Sequence, residues 1–153
     1  MPMTGRVGHD DIQEWYEAWN RRDWEAVAGL LSSSVLIEDI ALGKAVYGTK
    51  DYLHYARQWA RIFPDGRLKI DRLSGSGNRG EPMIVEYSCE GTQLGPWGIF
   101  EPSPRKTVIR FCDILRFKYD RIATCTTYGD YYRALRDLGH LPMPGGDKKL
   151  EAA

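Results

Sequence analysis

The stretch KTVIRFCDILRFK, residues 106–118, decides how this chain folds. Read with a period of two, Ile109, Phe111, Asp113, Leu115 and Phe117 share one face, and Arg110, Cys112, Ile114, Arg116 and Lys118 share the other. The pattern predicts a long β-strand with one side turned to a core and a wetter side turned away. Asp113 breaks it, because a carboxylate stands among the residues that should point inward. Burying a charge is costly unless it gains hydrogen bonds, a shifted pKa or a cavity to face. Asp113 is therefore a candidate for chemistry.

Working outward, KYDR makes a tight turn into a last strand at 121–128, and strands at 67–74 and 82–92 flank the glycine-rich SGSGNRG as a hairpin. The loop GTQLGPWGIFEPSPR joins that hairpin to the long strand. Before Pro64 the apolar period changes from two to that of a helix. Asp10 is a candidate N-cap for a helix with Ile12, Trp15, Tyr16 and Trp19 on one face. Asp23 can cap a second helix carrying Val27, Leu30 and Leu31. VLIEDI reads as a strand with Val35, Ile37 and Asp39 on one side and Glu38 on the other. Thr49 is the expected cap of a third helix, striped by Tyr52, Tyr55, Ala56, Trp59, Ile62 and Phe63 and ended by Pro64-Asp65-Gly66. A short helix at about 130–138 closes at Gly139. The layout predicts one α+β domain: a strongly curved antiparallel sheet, with three helices across its concave face. The core spans about 10–142, with flexible tails at 1–8 and 143–153.

The 153-residue chain has 42% hydrophobic and 27% charged residues, with 21 basic against 21 acidic side chains. A net charge of +0 argues against nucleic acid or an anionic membrane as partner. Five Trp and nine Tyr can line an apolar pocket for a small hydrophobic ligand. Cys89, Cys112 and Cys125 lack CxxC spacing and read as free thiols of a cytoplasmic protein. No secretory h-region or membrane-spanning run is present. There is no HxH, HExxH or Cys-cluster spacing, no P-loop, no GxGxxG and no GxSxG. The expected chemistry therefore uses neither metal nor organic cofactor.

Two inward acids, Asp39 and Asp113, fit that chemistry. Paired carboxylates with different environments can move a proton, one ionised as base and the other protonated as hydrogen-bond donor. The plainer alternative is that each acid is bonded to backbone N–H groups or an arginine. Trp15, Tyr16, Trp19, Tyr55, Trp59, Tyr87 and Phe111 are the expected pocket residues. The mixed apolar and charged outward face (Ile84, Glu86, Arg110, Cys112, Ile114, Arg116) predicts a homodimer through the convex side of the sheet.

Four strings, YEAWNRRDWEAVAGLLSSSVLIED, YGTKDYLHYARQWARIFPDGRL, GTQLGPWGIFEPSPRKTVIRFCDILRFKYDRI and YYRALRDLGHLP, resemble the SnoaL-like polyketide cyclases of the NTF2-like superfamily. The resemblance spans about residues 10–142. It implies a conical pocket between sheet and helices, usually in a dimer or larger assembly. In those cyclases an acid occupies the last-strand position that is Thr127 here, and a histidine occupies that of Asp113. The more distant ketosteroid isomerases imply a base at Asp39 and a protonated oxyanion-hole acid at Asp113. Their helix-one tyrosine position is Trp15 here, with Tyr16 one residue on. The implied function is cyclisation, isomerisation or a related proton transfer on a hydrophobic cyclic or polyketide-derived molecule. The alternatives are a non-catalytic ligand-binding protein of the superfamily, or an epoxide-opening cyclase or hydrolase.

Overall fold

The structure is a computed structural model that describes residues 7–78 and 80–142. Helix α1 (His9–Arg21) presents Ile12, Trp15 and Tyr16 inward, with Ala18 also buried. Helix α2 (Trp24–Gly29) follows at once, and Asp23 caps it by accepting from the Ala26 N–H. Strand β1 (Leu31–Asp39) turns through β2 (Lys44–Tyr47) into α3 (Gly48–Ile62), which buries Tyr52, Tyr55 and Ala56. The rest is β3 (Arg67–Ser74), β4 (Met83–Gln93), β5 (Ser103–Lys118), β6 (Arg121–Gly129) and α4 (Tyr131–Asp137).

The six strands form one curved, unclosed sheet in the order β2-β1-β6-β5-β4-β3. The i, i+3, i+4 stripes of α1 and α3 face the same side of it, so their aromatics meet Val85, Tyr87, Leu115 and Cys125 in one core. A smaller core, with Phe63, Trp97, Ile109, Tyr131, Ala134 and Leu138, seats α4 against the far end of β5.

The α+β reading holds, with corrections of detail. Strand β1 is a member of the sheet and pairs parallel with β6, so the sheet is mixed. Strand β2 was not expected; it has four residues and only Val46 is buried, too little to show alternation. The chain enters α1 through Gly8 instead of Asp10, and the Asp11 side chain accepts from the Gly8 N–H. Thr49 does not cap α3; its hydroxyl donates to the Ser32 carbonyl, and extended Tyr47 occupies the cap position. Val7, expected in the N-terminal tail, is buried in the main core. Residues 1–6 and 143–153 of the expected tails lie outside the described residues.

Candidate active site

The alternation that flagged Asp113 is real. Along β5, Ile109, Asp113 and Leu115 are buried while Arg110 and Arg116 are exposed. Cross-strand register then aligns three polar residues in a row: Asp39 on β1 is opposite Thr127 on β6, and Thr127 is opposite Asp113 on β5. All three are buried on the helix-facing side of the sheet.

The two acids have different surroundings. Asp113 lines a cavity between sheet and helices, with atom-free space of about 730 Å³ counted out through its mouth. The Tyr16 hydroxyl donates to its Oδ2 at 2.6 Å and the Tyr87 hydroxyl to its Oδ1 at 3.1 Å. Burial pushes the Asp113 carboxyl up to about 6, against the lowering effect of its bonds to Tyr16, Thr127 and Tyr87. The nearby Asp39 charge adds a smaller upward push.

Asp39 is not among the cavity-lining residues. Its Oδ2 accepts from the hydroxyls of Tyr55 at 2.8 Å and Tyr131 at 2.7 Å, and its Oδ1 from the Leu42 N–H at 3.1 Å. Three donors from three segments converge on this carboxylate, so it ties the end of β1 to α3 and α4. The expected pairing of both acids across one cavity is therefore not what the structure places there.

The aromatic expectations fare differently. Trp15, Tyr16, Trp19, Tyr55 and Trp59 line the cavity from the helices, and Tyr87, Phe111 and Thr127 from the sheet. Tyr16 and Tyr87 rings sit 4.8 Å apart, and Tyr87 stacks on Phe111 at 5.0 Å. It is Tyr16, not Trp15, that reaches the carboxylate; the Trp15 indole N–H donates to the Val27 carbonyl and holds α1 to α2. The hydroxyls of Tyr16 and Tyr87 stay protonated, because burial and the adjacent Asp113 both raise their pKa.

Three contributors were not singled out from sequence. Tyr52 read only as part of a stripe, yet it lines the cavity and accepts a hydrogen bond from Trp19 Nε1 at 3.1 Å. Arg22 also lines it; a left-handed backbone (φ 58°) ends α1 there, and its guanidinium donates to the carbonyls of Phe63, Pro64 and Gly66. Tyr131 reaches Asp39 over Gly129, where an added Cβ would fall 2.5 Å from the Tyr131 ring. The Gly-Asp-Tyr spacing was the available signal for this last contact. Among the described residues no His, Cys, Asp and Glu cluster could hold a metal ion, and no helix is long and apolar enough to cross a membrane.

A curved sheet covered by helices, with an aromatic pocket and a buried acid on its floor, defines a class of protein. The sequence profile of the SnoaL-like domain matches residues 12–125, and the chain belongs to that family. Among solved structures, a hypothetical protein with a ketosteroid isomerase-like fold from Catenulispora acidiphila DSM 44928, in complex with trimethylamine, is 17% identical. Its TM-score is 0.73, over 90% of this chain and 100% of that one. IdmH from Streptomyces antibioticus, a candidate polyketide cyclase, is 20% identical with TM-score 0.72, over 85% of this chain and 96% of that one. A candidate SnoaL-like polyketide cyclase from Jannaschia sp. CCS1 is 11% identical with TM-score 0.74, over 93% and 99% of the two chains. At such identities the likeness establishes the fold. No functionally curated protein matches the sequence significantly.

Proposed function

We propose that this protein is an acid/base enzyme of SnoaL-like type, in which Asp113 moves a proton on a hydrophobic cyclic or polyketide-derived molecule. The observation that carries the reading is that Asp113 is the carboxylate lining the aromatic cavity, with its pKa raised to about 6. A carboxyl of that strength is mostly ionised at neutral pH and is a stronger base than an exposed aspartate. Facing a carbon acid next to a carbonyl, it takes the proton as the C–H bond breaks, and the electron pair moves onto the carbonyl oxygen. Returning the proton to another carbon is isomerisation; attack of the carbanion on a second carbonyl is cyclisation. The hydroxyls of Tyr16 and Tyr87 hold the carboxylate in place and stabilise its charged form.

The base implied at Asp39 moves to Asp113 in this reading. Asp39 becomes a positioning residue, acting through Tyr55, which lines the cavity.

The test needs no natural substrate. In deuterated water the α-protons of 2-tetralone, a flat bicyclic ketone, exchange slowly, and NMR follows them directly. Wild-type protein should accelerate this exchange, with the rate rising through pH about 6 as Asp113 ionises and levelling above. Asp113→Asn should lower the rate by roughly 10²-fold or more, whereas Asp39→Asn should retain it within about tenfold. Wild-type exchange no faster than buffer, with 2-tetralone demonstrably bound, would leave a ligand-binding protein and not an enzyme.

A further inference from the structure

Four tyrosines line the cavity: Tyr16, Tyr52, Tyr55 and Tyr87. Three of their hydroxyl protons are already engaged. Tyr16 and Tyr87 donate to Asp113, and Tyr55 donates to Asp39. Tyr52 is different. Its oxygen accepts from Trp19 Nε1, and its own O–H meets no acceptor among the described residues, although the side chain is only 3% exposed. A buried donor without an acceptor is costly. Here the donor belongs to the wall of an apolar cavity that also contains the candidate base.

We propose that Tyr52 is the hydrogen-bond donor to a carbonyl oxygen of the substrate, and that Trp19 is the positioning residue that orients it. The proposal rests on the acid/base reading of the same cavity and narrows the substrate to one presenting an acceptor oxygen to α3 while its acidic C–H faces β5. Proton abstraction by Asp113 sends negative charge onto that oxygen, and a donor fixed there stabilises the charge as it develops. Trp19 Nε1–H already donates into the Tyr52 oxygen, which polarises the hydroxyl and strengthens its outward bond. Edge-on packing of Tyr52 and Trp19, centroids 6.1 Å apart, fixes the phenol, and Trp15 packs beside it at 6.2 Å. Burial keeps the Tyr52 phenol protonated at neutral pH, so it serves as a donor.

Two other N–H donors of the cavity wall are occupied. Trp15 Nε1–H is spent on the Val27 carbonyl, and Arg22 is spent on backbone carbonyls near the mouth. Tyr16 and Tyr87 could turn to a ligand only by abandoning the carboxylate.

Two probes of matched shape test this: 2-tetralone, and tetralin, which lacks the oxygen. Binding is read from tryptophan fluorescence, and the bound carbonyl from its infrared stretch. Wild-type protein should prefer the ketone by roughly five- to tenfold and shift its C=O band to lower frequency. Tyr52→Phe should abolish both the preference and the shift, while tetralin affinity, which reports an intact cavity, stays within about twofold. Trp19→Phe should leave a band between those of wild type and Tyr52→Phe. A wild-type band and ketone preference that persist in Tyr52→Phe would overturn the proposal, as would an unshifted band in wild type. An unmoved band in Trp19→Phe would remove the role given to Trp19. Failure of Asp113 as base appears instead in the wild-type exchange rate, so the two readings fail separately.

Discussion

Asp113 ionises against its surroundings, and that has a measurable cost. Its carboxyl is raised from the ordinary 3.8 to about 6, chiefly by desolvation. Between about pH 4 and pH 6 the folded state therefore holds a proton that the unfolded chain has released. The sign follows: this group favours folding below that window, and the benefit is lost as pH rises through about 6. Asp113→Asn carries no such dependence. Urea unfolding should show the variant gaining on wild type by about 2 kcal/mol between pH 4.5 and pH 7.5. A pH-independent difference would mean that the carboxyl is not raised. Asp39 contrasts with it, because three donors satisfy its lone pairs and it has the character of a structural bolt. Sequence could place both acids inward, but the partners that distinguish them come from α1, α3, α4 and β4, all distant along the chain.

At the scale of elements, α4 is held where Tyr131 passes over Gly129 to reach Asp39. The same ring packs against Trp59, Trp97 and Phe111, with centroids 5.4 to 5.8 Å away. A methyl group at residue 129 would displace the ring and strand the Asp39 contact. Gly129→Ala should lower stability by roughly 1–3 kcal/mol and speed hydrogen exchange in α4 ahead of the rest; an unchanged melting temperature would refute this docking. Elements were legible in sequence where their periods were long. β3 was read at its observed bounds, and the stripes of α1 and α3 were read in their main members, although Ala18 was missed and Trp19, Trp59 and Ile62 are only half-buried. Short or non-periodic features were not. β2 has a single buried side chain, and the cap of α3 depended on where Ser32 lies, not on residue type. Seven aromatic lining residues were read because they fall on the apolar stripes of α1 and α3 or on the inward faces of β4 and β5, and Thr127 came from the family resemblance. Tyr52 lay on the same stripe, but its unspent proton is visible only once its neighbours' partners are known.

At the scale of the molecule, the sheet face turned away from the helices mixes exposed apolar side chains with charged ones. Ile84, Val108 and Tyr128 are 37%, 44% and 48% exposed, with Ile114 and Cys112 half-buried between them. Register places Ile84 beside Ile114 and Thr126, and Glu86 beside Cys112 and Tyr128, so these residues form one continuous patch. A second copy of the chain is the expected cover, giving about twice the 17.5 kDa chain mass by light scattering. Val108→Glu should return it to 17.5 kDa, and wild type measured at that mass across concentrations would exclude the dimer. The parallel pair has a different consequence. β1 is made before its inner neighbour β6, which follows some 80 residues later in the chain. Until β6 emerges, β1 has only the short β2 beside it, and the helices have only part of the sheet to pack against. The β1–β6 seam therefore closes over a long separation in sequence, which slows folding. During that interval the unpaired edge of β1, with Val35 and Ile37 uncovered, is what a chaperone would need to shield.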